Sequence, residues 1–194
     1  MANLITLADY KTAEGIQSTK DDAKLELLIE SVSQLVKTYC NATFVDYYTN
    51  AKTELFNINY SESFIQLEEG PVVTTVGNKP VVYERENTTS SYNTLTEDTD
   101  YYIDEGLDSI YRLDTTFPKG PGSVKVVYKA GYATVPADLK LAVIDLITYY
   151  HKDEHKSRQT IAGASIQNNA STSQRNNVAF PDHIKRVLDL YKNF

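Results

Sequence analysis

The hydrophobic periodicity of this chain changes twice, and this change constrains the fold more than any other feature of the sequence. Between residues 20 and 40 apolar side chains recur every three or four positions, as on an amphipathic helix. From about 44 to 129 they alternate with polar ones, and helical spacing returns at Pro136. We therefore predict an α+β fold, in which residues 1–43 and 130–194 form a small helical bundle and residues 44–129 form an inserted antiparallel β region.

Capping residues mark the N-terminal helices. Thr6 can cap a first helix, Asp9 follows three residues later as in a capping box, and Gly15 can end the helix in the left-handed conformation. A second start signal, Ser18 or Thr19, precedes the helix predicted over residues 20–40. One face of that helix carries its apolar side chains: Leu25, Leu28, Ile29, Val32, Leu35, Val36 and Tyr39.

The central region predicts six or so strands, because runs rich in Val, Ile, Thr and Tyr are separated by turn residues. The runs cover residues 64–67, 72–76, 81–83, 101–103, 109–113 and 124–128. The turn signals are Gly70-Pro71, Gly77-Asn78, Gly106 and residues 118–122. Residues 44–129 hold 14 acidic and 7 basic side chains, so we expect negative solvent faces.

The helix that follows Pro136 is apolar on nearly all sides. One stripe holds Leu139, Val143, Leu146 and Tyr150, and a second holds Leu141, Ile144 and Thr148. A helix of this kind must be buried on nearly all sides. We predict that Leu141, Ile144 and Tyr149 meet a neighbouring subunit. The alternative is a central helix enclosed by its own chain.

The C-terminal part differs from the rest in charge and composition. Residues 1–155 hold 13 basic and 24 acidic side chains, whereas residues 156–194 hold 6 and 2. Residues 157–179 are rich in Ser, Thr, Asn and Gln, which predicts a long flexible loop, and a last helix begins at Pro181-Asp182. We interpret the segment as an arm that binds an acidic partner, the alternative being that the last helix completes the bundle. The residues assigned to this contact are Arg158, Arg175, Lys185, Arg186 and Lys192, with the apolar face of Ile184, Leu188 and Tyr191.

One string resembles a catalytic motif. His151, Glu154 and His155 match the H-x-x-E-H pattern of inverted zinc peptidases, but no glutamate follows Glu154 to supply the third ligand. The single cysteine, Cys40, has no histidine near it in the sequence and is interpreted as a structural thiol. No phosphate-binding glycine motif occurs, and no apolar stretch is long enough to span a membrane. We expect a soluble intracellular protein without catalytic residues, bound metal or cofactor.

Two parts of the chain resemble the head-tail connector (adaptor, or head completion) family of tailed bacteriophages. LITLADYK (4–11), DDAKLELLIES (21–31) and YCN (39–41) are similar to the N-terminal helices of that family. VKVVYKAGYATVPADLKLAV (124–143) is similar to its strand-to-helix junction. The two parts occur in the family's order and flank a β insertion of the expected character.

The resemblance implies a non-enzymatic virion protein that is made in the host bacterial cytoplasm and resides in the virion neck. Such proteins form a ring, commonly of twelve subunits, beneath the portal and above a stopper or tail protein. DNA passes through the ring without specific binding, which agrees with an acidic chain. In this setting the basic arm would contact the portal. Two alternatives stay open: a monomeric β-rich binding module, and a small zinc hydrolase using His151, Glu154 and His155.

Overall fold

The structure, a computed structural model, describes residues 1–152, 158–161, 164–167 and 180–192. The chain divides into two compact units. The helical unit comprises Met1–Asn41 and Val135–Lys192, and the β unit comprises Ala42–Thr134. Helices and antiparallel sheets are both present, so the predicted α+β class is confirmed.

Five helices and nine strands occur in the described residues. The helices are α1 (Leu7–Glu14), α2 (Asp22–Cys40), α3 (Asp46–Thr49), α4 (Ala137–His151) and α5 (Asp182–Asp189). The strands are β1 (Lys52–Ile58), β2 (Phe64–Gln66), β3 (Val81–Glu84), β4 (Asn93–Thr94), β5 (Tyr101–Asp104), β6 (Ser109–Arg112), β7 (Gly120–Tyr128), β8 (Arg158–Ile161) and β9 (Ala164–Gln167). None of the described helices has both the length and the apolar character needed to cross a bilayer.

The capping box predicted for α1 is present. The Asp9 amide donates to Thr6 Oγ1 at 3.1 Å, and the Thr6 amide donates to Asp9 Oδ2 at 3.0 Å. Gly15 ends the helix with φ 68°, as expected. The predicted start of α2 is wrong, since the helix begins at Asp22, after Asp21 in the N-cap position, rather than after Ser18 or Thr19.

Three helices supply the core of the helical unit. Helix α2 packs against α1, α4 and α5, and α4 also packs against α5. The fully buried side chains at these contacts include Leu25, Val36, Leu139, Leu146, Ile147, Ile184 and Leu188. Each of them contributes roughly 1.5–3 kcal/mol through burial, so the helical unit is held together by apolar packing between segments distant in sequence.

The β unit contains a four-stranded sheet of order β1-β7-β3-β4 and a three-stranded sheet of order β2-β6-β5, both antiparallel. Their inner faces share one apolar core. The four-stranded sheet contributes Ile58, Val82, Val124, Val126 and Tyr128, and the three-stranded sheet contributes Ile65, Tyr101, Ile103 and Ile110. The outer faces of the two sheets therefore point away from this common core.

Two differences from the predicted strands have physical causes. Residues 72–76 form no strand, since only Val72 makes an isolated bridge and the Asn78 amide donates to the Thr75 carbonyl, which turns the chain. Strand β1 was not predicted, because its inward set includes the charged Glu54 and the alternation is weak as a result.

The prediction of a loop over residues 157–179 is wrong for two stretches, Arg158–Ile161 and Ala164–Gln167, which are strands. Strands β8 and β9 form an antiparallel pair, with Arg158 opposite Gln167 and Ile161 opposite Ala164. Thr160 and Ile161 lie in β8 and Ile166 lies in β9, and β-branched residues favour extended backbone. The rest of the predicted loop lies outside the described residues.

Candidate assembly surfaces

The three residues predicted at a subunit interface of α4 differ in exposure. Leu141 is 59% exposed, whereas Ile144 is only 8% exposed and is buried in the helical unit itself. Tyr149 is half-buried, with its ring 5.5 Å from that of Tyr150. The assignment of Ile144 is corrected, because its side chain is already covered by its own chain. Leu141 and Tyr149 are the members of this set that offer surface to a partner.

Helix α4 is also tied to its own unit by polar contacts. Lys140 Nζ lies 2.7 Å from Asp9 Oδ1, and the Tyr191 hydroxyl donates to Asp138 Oδ1 at 2.6 Å. The hydrogen bond from Lys140, together with those from Thr6, lowers the pKa of Asp9 to about 2. The hydrogen bond from Tyr191 likewise lowers the pKa of Asp138. Most of α4 is thus an internal element of the helical unit.

The apolar face predicted to dock on a partner is largely unavailable. Ile184 and Leu188 are 1% and 0% exposed, because α5 packs them against α2 and α4. These two assignments are corrected, since a side chain buried in its own core cannot also bind a partner. Tyr191 is half-buried, and its hydroxyl donates a hydrogen bond to Asp138.

The predicted basic contact residues fall into three groups. Arg186 is exposed and Lys185 half-buried on α5. Lys192 is paired with Asp189 at 3.9 Å and lies 4.4 Å from the ring centroid of Tyr39. Arg158 begins strand β8, and Arg175 lies outside the described residues. The accessible basic surface of α5 is therefore Lys185 and Arg186.

Cys40 lies at the contact between α2 and α5. It is buried, and its thiol donates to the Leu188 carbonyl at 3.5 Å. Burial raises the pKa of Cys40 to about 12. A thiol in this state is a poor nucleophile, which agrees with the structural role predicted for it.

The histidine motif extends beyond the structure. His151 is the last residue of α4, whereas Glu154 and His155 lie outside the described residues. Within residues 1–152 and 180–192, no three His, Cys, Asp or Glu side chains come together in a way that would hold a metal ion.

Sequence reasoning did not predict an aromatic row on the outer face of the three-stranded sheet. Tyr111 on β6 lies between Phe64 on β2 and Tyr102 on β5 in the strand register. The rings of Phe64 and Tyr111 are 5.0 Å apart, and Phe64 and Tyr102 are 40% and 50% exposed. The signal was available, because each of these aromatics lies beside an isoleucine that faces the core.

The outer face of the four-stranded sheet presents a different surface. Leu55, Lys125 and Tyr83 lie side by side across β1, β7 and β3. Lys125 Nζ lies 4.1 Å from the ring centroid of Tyr83 and 4.5 Å from that of Tyr92. Leu55 is 60% exposed. An apolar side chain and a cation held between two tyrosine rings thus share this face.

The fold of this chain is similar to that of chains in the necks of virus-like particles. It superimposes on chains from necks of gene transfer agent particles: with TM-score 0.61 on the neck of the empty particle computed with C6 symmetry, and 0.56 on the neck of the native particle computed with C12 symmetry. The sequence identities are 14% and 15%, over 98% and 100% of this chain and 90% and 96% of those chains. The chain therefore has the fold of these neck chains.

The sequence then gives the family. A head completion protein model matches residues 3–194, and the chain belongs to that family. The head completion protein of Escherichia phage T5 is 22% identical over 189 residues, which cover 97% of this chain and 98% of the relative. The resemblance seen in the sequence is confirmed.

Proposed function

We propose that this chain is a ring-forming head-tail connector subunit of the virion neck. It docks beneath the portal, links the DNA-filled capsid to the next neck or tail component, and lets DNA pass. The observation that carries the proposal is the match to the head completion family over residues 3–194. The role requires no catalytic residue and no cofactor.

The charge of the chain supports passage of DNA without binding. Residues 44–129 carry 14 acidic and 7 basic side chains, and the whole chain has a net charge of −7. Affinity for duplex DNA comes largely from cations that displace counterions from phosphates. An acidic wall lacks this gain and repels the duplex, so DNA can slide through the ring.

Contact with the portal is assigned to the accessible cations of the C-terminal segment. Lys185 and Arg186 on α5 are the members of this set whose side chains the structure describes, and Arg158 and Arg175 join them on sequence grounds. Cations at the edge of an interface steer association with an acidic partner and are screened by salt. Docking should therefore weaken as the salt concentration rises.

A nonsense codon in the gene of this chain tests the proposal, within a genome that produces the particles. We expect DNA-filled heads that lack tails and lose DNA, and a plasmid copy of the gene should restore tailed particles. Electron microscopy of purified particles measures the outcome. Normal numbers of tailed particles without the chain would refute the proposal and favour the β-rich binding module instead.

Leu141 tests whether α4 contributes to the ring. Leu141→Asp should leave the isolated protein folded and reduce its incorporation into particles, because the side chain is exposed and its replacement introduces a charge at the proposed interface. Leu27→Asp is the matched control, an equally exposed leucine on α2. Leu146→Asp should unfold the protein, since Leu146 is fully buried. If Leu141→Asp is incorporated normally, the assignment of α4 to the ring interface is wrong.

A further inference from the structure

The two outer faces of the β unit have complementary properties, as two surfaces that bind each other would. We call the outer surface of β2-β6-β5, with Phe64, Tyr102 and Tyr111, the aromatic face. We call the outer surface of β1-β7-β3, with Leu55 and Lys125, the lysine face. Phe64 and Tyr102 are exposed on the aromatic face, and Leu55 is exposed on the lysine face. Because Phe64, Tyr111 and Tyr102 are neighbours across the sheet, the aromatic face is a contiguous apolar surface of the kind that marks an interaction site.

The placement of the faces suits one type of assembly. Both sheets direct their inner residues into one core, so the aromatic face and the lysine face lie on opposite sides of the β unit. A closed ring requires a head-to-tail contact, in which one surface of a subunit meets a different surface of the next. Two unlike faces on opposite sides of one unit satisfy this requirement.

The charges of the two faces are complementary. The strand residues of the aromatic face include one acidic side chain, Asp104, and no basic one. Those of the lysine face include one basic side chain, Lys125, and no acidic one. In a chain with net charge −7, a face free of acidic side chains is unusual. Such an arrangement favours the unlike pairing and disfavours contact between two copies of the same face.

We propose that the aromatic face of one subunit binds the lysine face of the next copy of this chain around the ring. The occupant of each face is thus a second copy of the chain. The rings of Phe64 and Tyr102 supply apolar area, while Lys125, already positioned by Tyr83 and Tyr92, fixes the orientation. The inference rests on the proposed function, because it identifies the surfaces with which the ring is built.

Cysteine cross-linking in assembled particles tests the pairing. Cys40 is buried and is the single cysteine of the sequence, so an exposed engineered thiol has no competitor within this chain for a short bismaleimide cross-linker. A chain with both Leu55→Cys and Tyr102→Cys should give a ladder of multimers on a denaturing gel, whereas each single variant should give none. The control pair, Val76→Cys with Tyr102→Cys, places one thiol on a fully exposed residue outside both faces and should give no ladder.

Two results would overturn the inference. Dimers from Tyr102→Cys alone would show that aromatic faces meet each other, and a missing ladder in particles with complete necks would show that the faces do not meet. In the second case the proposed function stands, since the neck has formed. If Tyr102→Cys prevents assembly, Thr53→Cys with Gln66→Cys places thiols on the same two faces at exposed polar positions.

Incorporation gives an independent readout. Tyr102→Asp should lower the number of copies per particle at least about tenfold, as expected for an aromatic residue at the centre of an interface. Tyr60→Asp is the matched control, because Tyr60 is an exposed tyrosine between β1 and β2. Circular dichroism of both isolated variants checks that they fold. Equal incorporation of the two variants would refute the role of the aromatic face.

Discussion

Lys52 holds a cluster of carboxylates in the β unit. Its ammonium lies 2.7 Å from Glu54 and from Glu68, and 4.0 Å from Glu69. Glu54 and Glu69 are buried, and the Tyr128 hydroxyl donates to Glu54. Burial alone would lower the pKa of Lys52, but the hydrogen bonds to Glu54 and Glu68 outweigh it and raise that pKa. The cluster therefore depends on Lys52 remaining charged.

Lys52→Met should cost about 3 kcal/mol of the free energy of unfolding. Removing one partner of a buried ion pair costs about 3–5 kcal/mol, because the other charge stays buried. We place the value at the low end, since Glu68 is solvent-exposed and the two buried carboxylates keep neutral hydrogen-bond donors. Those donors are the Tyr128 hydroxyl for Glu54, and the amide and hydroxyl of Thr43 for Glu69.

Urea unfolding followed by circular dichroism measures this loss. For a slope of about 2 kcal/mol/M, the midpoint should fall by about 1.5 M. Lys79→Met is the matched control: Lys79 also pairs with a glutamate at 2.7 Å but is exposed, so its loss should be several times smaller. Glu54→Gln should recover part of the stability in the Lys52→Met background. Equal midpoint shifts for Lys52→Met and Lys79→Met would refute the reasoning.

Two further predictions concern the helical unit and a turn of the β unit. The pKa of Asp9 is lowered from 3.8 to about 2, so its contribution to stability is present above pH 3.8 and lost as the pH falls toward 2. Urea titrations at several pH values should show this loss, and Lys140→Met should make it smaller. Gly131→Ala should destabilise the chain by more than about 1 kcal/mol, because φ is +93° and the new Cβ would clash with the Phe44 carbonyl. Gly77→Ala, also at positive φ but in open space, should have a smaller effect on the thermal midpoint, and equal effects would contradict the steric argument.

Local signals predicted the parts of the fold that local interactions determine. The capping box of Thr6 and Asp9 and the stop at Gly15 involve residues within ten positions of one another, and both features are present. Strand β1 was missed because the burial of Glu54 depends in part on Tyr128, which is 74 residues away in the sequence. Hydrophobic alternation cannot show that a charged residue faces inward when a distant partner stabilises it.

The candidate site was harder to predict than the fold, for the same reason. Ile144, Ile184 and Leu188 occupy positions that a partner could cover, and periodicity alone cannot distinguish that partner from the chain's own helices. The structure shows that they are covered within the helical unit. Conversely, Phe64 and Tyr102 were assigned to strands without regard to which face they occupy.

An outward-facing aromatic residue is therefore better evidence of assembly in this chain than an apolar helix. An apolar stripe on α4 is required by the core whether or not a neighbour exists, so its presence does not discriminate between the two cases. Tyr102 and Phe64 face away from a core that Ile103 and Ile65 already fill, and the fold of an isolated subunit does not require a large ring at either position. We propose that a partner surface accounts for their exposure. The partner surface that we propose is the lysine face of a neighbouring copy, where the exposed Leu55 would meet these rings and Lys125 would meet Asp104.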